Sequence, residues 1–126
     1  MTDYKNALVN IMRQLNIPYT SSNQDWEIEF ADKSRIAEFI NFFNTLTDPN
    51  EKHVLMSLLL ASYDDYLAED ANVNQTIWNA IVSLLDKDLN EYNDILDHWA
   101  IWNELDELEL FDITPAVRAY LNSKAS

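Results

Sequence analysis

Apolar residues recur at intervals of three and four over most of the chain, the spacing of one face of a helix. Ala7, Leu8, Ile11, Met12 and Leu15 form the first such stripe. Thr2 is placed to cap this helix, and "NIP" ends it before Pro18. "YTSSNQD" is polar and reads as a loop. "WEIEF", Trp26 to Phe30, instead alternates strictly, which predicts a short strand or extended segment at 26–30. No partner strand is evident, so a helical segment is the competing reading.

Helical spacing then resumes. Asp32 or Ser34 starts a helix with Ile36, Phe39, Ile40 and Phe43 on its buried side. "DPNE" is the clearest start: Asp48 at the N-cap, Pro49 at the first helical position and Glu51 where a capping box takes an acid. Leu55, Leu58, Leu59, Ser62 and Tyr66 lie along one side of the helix that follows. Asn74 caps the next, with Ile77, Ile81, Leu84 and Leu85 inward. A fifth helix is predicted over 91–103. A sixth starts with Thr114 as cap and Pro115 behind it, packing Val117, Tyr120 and Leu121. The expected fold is all-α: a compact bundle of about six helices in one domain, 1–126, with at most one short strand near 26–30.

Composition narrows the chemistry. The chain has 126 residues, no cysteine and no glycine. Without cysteine there is no disulfide framework and no thiolate ligand or nucleophile. Without glycine, phosphate-cradling loops and the dinucleotide fingerprint are excluded. Asparagine, present fourteen times, is the next best residue for left-handed helix ends. Asn16, Asn72 and Asn103 sit where helices are expected to stop. No apolar run reaches membrane-spanning length, and "MTDYKNALVN" lacks the pattern of a signal peptide, so a cytoplasmic location is expected.

Charge is distributed unevenly. Residues 1–61 carry eight acids and five bases; residues 62–112 carry fourteen acids and Lys87 alone; residues 113–126 carry two bases and no acid. Such a block repels nucleic acid and anionic membranes and attracts basic protein surfaces. Solubility alone is the plainer explanation of the same acids.

Few groupings suggest catalysis or metal binding. "DKDLNEYNDILD" resembles the calcium loop of the EF-hand family, with Asp86, Asp88, Asn90, Tyr92, Asp94 and Asp97 on the six ligand positions. The family's turn glycine is Glu91, its apolar eighth residue is Asn93 and its final glutamate is Asp97, so no metal is expected. Asp94 and His98 have the spacing of two ligands on one helix face, but no HExxH pattern accompanies them. There is no nucleophile elbow. No catalytic residue, cofactor or metal site is therefore expected, and the chain does not read as an enzyme.

"DHWAIWNELDELELFDITPAVR", residues 97–118, sets two tryptophans and a phenylalanine beside many carboxylates. Either both tryptophans are core, or Trp102 flanks a binding surface. Leu105, Leu108, Leu110 and Phe111 are expected to anchor the segment. The candidate partner-binding residues are Asp64, Asp65, Glu69, Asp70, Trp102, Glu104, Asp106, Glu107, Glu109 and Asp112.

In size, acidity and helical character the chain resembles small bacterial immunity proteins, which bind and block a cognate toxin. "YDDY", Tyr63 to Tyr66, echoes the composition of the tyrosine pair in the colicin-nuclease type. The resemblance implies an acidic inhibitor of a basic protein, such as a nuclease toxin. The alternative class is a nucleic-acid-mimicking inhibitor, such as a phage-encoded anti-defence protein, whose carboxylates stand in for phosphates. Both imply a basic protein partner and no bound nucleic acid or membrane; oligomeric state is left open.

Overall fold

The computed structural model describes residues 3–69 and 73–125. Those residues form seven α-helices joined by loops and 3-10 turns, with no strand among them, so the fold class is all-α. The chain falls into two compact units, Met1–Asp65 and Tyr66–Ser126.

In the first unit, α1 spans Tyr4–Gln14. Asp3 caps it, its carboxylate accepting from the Asn6 amide at 2.8 Å; Thr2, expected in that role, lies outside the described residues. The helix ends where Asn16 turns left-handed (φ 59°), as expected for a glycine-free chain. The Ile17 and Asn16 amides then close onto the Met12 and Arg13 carbonyls, satisfying two of the terminal acceptors.

Residues 26–30 correct the strand expectation. Trp26–Glu29 is a single helical turn, α2, with the Ile28 and Glu29 amides donating to the Asp25 carbonyl. An unpartnered strand would leave its backbone groups unbonded, whereas one helical turn satisfies them locally. After a 3-10 turn at Lys33–Arg35, α3 runs Ile36–Phe43 and buries Ile36, Phe39 and Phe43. Asp32 caps this entry by accepting from the Ser34 amide at 2.9 Å.

The long helix α4, Pro49–Glu69, starts as the sequence indicates: the Glu51 amide donates to the Asp48 carboxylate at 3.0 Å. Its burial corrects the one-sided stripe. Every residue from Val54 to Tyr63 is buried, so the helix is enclosed all round over that span. Ser62 is tolerated there because its hydroxyl donates to the Leu58 carbonyl and accepts from the Asp32 amide.

In the second unit, α5 (Gln75–Lys87) is capped by Asn74, which accepts from the Thr76 amide at 3.0 Å. Trp78, Ile81, Leu84 and Leu85 are its buried face, with Ile77 half-buried. The predicted fifth helix is shorter than expected. A 3-10 turn occupies Leu89–Tyr92 and α6 covers Asn93–Ala100. The helix stops because Ile101, not Asn103, turns left-handed (φ 41°); Asn72 is outside the described residues. The last helix, α7, spans Thr114–Ala125 and packs on α6. Thr114 is not a free cap: its buried hydroxyl donates to the Trp99 carbonyl at 2.7 Å and pins α7 to α6. The Tyr120 hydroxyl and Lys124 ammonium both reach Asp86, at 2.7 and 2.9 Å, and tie α7 to the end of α5.

Candidate protein-binding surface

The connection between α6 and α7 carries most of the candidate acids, and one cation organises it. Arg118 of α7 donates from Nε to the Ala100 carbonyl at 2.7 Å and from Nη2 to the carbonyls of Ile101 and Glu104, at 2.8 and 3.1 Å. These include carbonyls at the end of α6 that have no partner inside the helix. The same guanidinium lies over the Trp102 ring, 5.7 Å from its centroid. The loop therefore leaves α6 in a fixed direction, although Ile101 is a β-branched residue in a region it disfavours.

Local bonds shape the rest. The Asp106 amide donates to the Glu104 carboxylate at 3.0 Å, and the Leu108 amide donates to the Asp106 carboxylate at 3.0 Å, starting a 3-10 turn at Glu107–Glu109. Phe111 then returns to the helices, its ring meeting Trp99 edge-on with centroids 4.9 Å apart and lying 5.8 Å from His98.

The two tryptophans have different roles. Trp99 is core, 4% exposed, while Trp102 is 46% exposed. The leucines divide as well. Leu110 and Phe111 are partly buried and anchor the loop. Leu105 and Leu108 do not: they are 92% and 91% exposed, which corrects the expectation that all four hold the segment down. The turn that Asp106 caps occupies the local backbone bonds, leaving both side chains directed to solvent. Burying a leucine side chain is worth about 1.5–3 kcal/mol, so two held bare on an ordered loop leave that gain unrealised.

Leu105 also borders a cavity of about 660 Å3. Glu104, Glu107 and Asp112 supply its carboxylates, Leu105, Leu110, Phe111 and Pro115 its apolar lining, and Arg118 its one cation. The Arg118 bonds go to carbonyls, and no hydrogen bond or ion pair to the carboxylates of Glu107, Glu109 or Asp112 is formed among the described residues. Asp106, Glu107, Glu109 and Asp112 are exposed, and Glu104 is half-exposed.

The remaining candidates are elsewhere. Asp64 and Asp65 belong to the first unit, on α4, and Glu69 ends that helix in the second. Asp70 lies outside the described residues. Arg118, Ile101 and Pro115 were not among the candidates, yet the first two set the loop. The available signal was Arg118 itself, the first base after thirty residues without one.

The EF-hand-like stretch does not fold as one loop. Asp86 is on α5 and engaged by Tyr120 and Lys124, while Asp94 and Asp97 are on α6. Among the described residues no three acidic or histidine side chains converge as a metal-ligand set. His98 instead meets the Trp99 ring edge-on and lies tilted against Phe111. No described helix is long and apolar enough to cross a membrane. No protein-family model matches the chain, and no curated protein or solved structure shows significant similarity to it.

Proposed function

We propose that this chain is an acidic protein-binding inhibitor that neutralises a basic protein, in the manner of an immunity protein acting on a nuclease toxin. The observation that carries the reading is the loop at 101–113: solvent-directed Leu105 and Leu108, half-exposed Trp102, and the carboxylates of Glu107, Glu109 and Asp112, which have no ion pair among the described residues, on a backbone held by Arg118. Apolar anchors within a charged surround are the composition of a protein interface. The preorganised loop loses little conformational freedom on binding. In this reading the chain has no catalytic role.

The charge census alone fits a nucleic-acid-mimicking inhibitor equally well. The leucines favour the first reading, because a groove built for phosphates rewards charge and offers nothing to exposed aliphatic side chains. The test is affinity purification from the native host with elution at high salt, followed by kinetics on the purified basic partner. Inhibition of the partner's activity by a stoichiometric complex is expected. Displacement of the chain by duplex DNA or RNA at the same site would favour the mimic. A partner whose binding ignores salt and acid reversal would reject the electrostatic mechanism.

A further inference from the structure

We infer that the cavity beside the α6–α7 loop receives an arginine- and leucine-bearing segment of the basic partner. This deepens the binding reading above and rests on it. The occupant follows from what lines the space. Glu107 and Asp112 are carboxylates with no cation partner among the described residues, and Arg118 commits its Nε and Nη2 donors to backbone carbonyls. The cavity's one cation is thus outnumbered by its three carboxylates, and an incoming cation offsets part of that excess. A volume of about 660 Å3 is more than one side chain needs and lies within the range of clefts that enclose a ligand.

Apolar surface decides the rest. Leu105 and Leu108 need aliphatic partners, which a purely cationic chain does not supply. Phe111 presents an aromatic ring in the lining, and guanidinium groups stack on such rings and bond carboxylates in pairs, which favours arginine over lysine. A second copy of this chain fits poorly, because both surfaces would carry the same excess of carboxylates and the whole chain carries a net charge of −14.

The probe is a nine-residue peptide of alternating arginine and leucine, titrated into the full-length 15N-labelled protein. An oligo-arginine peptide of equal charge and an alternating lysine–leucine peptide are compared with it. Saturable amide shifts confined to residues 104–118 are expected, at least tenfold weaker for oligo-arginine and several-fold weaker for lysine–leucine. The double variant Leu105→Asp/Leu108→Asp should weaken binding at least tenfold. Both side chains are in solvent, and an unchanged circular dichroism spectrum checks that the variant folds. Equal binding of oligo-arginine, shifts spread over all the acidic segments, or no binding would each overturn the inference. So would leucine-dependent dimers in sedimentation, which would assign the surface to a second copy. A captured basic protein that binds the double variant within twofold of the native chain would overturn this groove while leaving the proposed function standing.

Discussion

The guanidinium of Arg118 donates a 2.8 Å hydrogen bond to the carbonyl of Ile101, the residue at which the backbone turns left-handed. The carbonyls it fastens lie 14, 17 and 18 positions before the arginine, so α7 fixes the end of α6. Arg118→Ala removes three charge-assisted bonds and the contact with Trp102. A loss of about 2–4 kcal/mol in unfolding free energy is expected, measured by urea denaturation. Arg118→Lys should not restore it, because an ammonium lacks the planar fork that spans several acceptors.

Ile101 itself predicts a stabilising change. A β-branched residue at φ 41° carries a penalty of roughly 1–2 kcal/mol that asparagine largely avoids. Ile101→Asn should raise the denaturation midpoint by the equivalent of about 1 kcal/mol, the difference being apolar burial lost from a half-buried side chain. An unchanged denaturant slope would place the gain in stability itself.

The two tryptophans should separate cleanly. Trp99→Ala empties a core position and should cost about 3–5 kcal/mol. Trp102→Ala should cost less than about 1.5 kcal/mol and instead speed dissociation from the proposed basic partner. Paired thermal melts and surface-binding kinetics distinguish the two.

Much of this was legible in the sequence, and the gaps have physical causes. Asp48, Pro49 and Asn74 marked helix starts correctly because capping is a local interaction that a few residues specify. Asn16 ended α1 for the same reason. "WEIEF" misled because alternation over five residues is a period without a partner, and pairing is what makes a strand. Asn103 lost its expected role to Ile101 because the stop is set by Arg118, distant in sequence. Spacing identified the acids of 104–112 as a group, but it gave no means of telling which leucines face solvent. That depended on the Asp106-capped turn.

Acid should loosen the junction between α5 and α7. The Tyr120 hydroxyl, then the Lys124 ammonium, hold the Asp86 carboxyl below its ordinary value. A depressed carboxyl contributes stability that is present above its unfolded value, about 3.9, and is lost as pH falls through the lower folded value. Stability should therefore drop below about pH 4, and Asp86→Asn should flatten that part of the profile. Burial, then the Asp86 bond, raises the Tyr120 phenol above its ordinary value near 10. That contribution is present below about pH 10 and is lost as pH rises through the folded value. Chemical denaturation from pH 2.5 to 11 tests both limbs.

For the proposed partner binding, Glu107→Lys and Asp112→Lys are cleaner reversals than Glu104→Lys, since the Glu104 carboxylate also holds the Asp106 amide. Each should slow association several-fold at low salt and far less at high salt. Dissociation should change little, because screening over about 8–10 Å acts mainly on approach. Stopped-flow mixing across a salt series reads the effect directly.

The left-handed turns at Asn16 and Ile101 are made without any glycine, and this bears on the state from which the chain folds. Every residue has a β-carbon, so the denatured ensemble samples fewer backbone conformations than that of a chain with ordinary glycine content. Each glycine replaced where the native angles permit lowers the entropy lost on folding by the equivalent of about 0.4–1 kcal/mol. The chain thus begins its collapse with less disorder to surrender, and it accepts steric strain at Ile101 in exchange. Glycine introduced within the helices would enlarge that ensemble and relieve nothing, whereas at position 101 the two effects oppose each other.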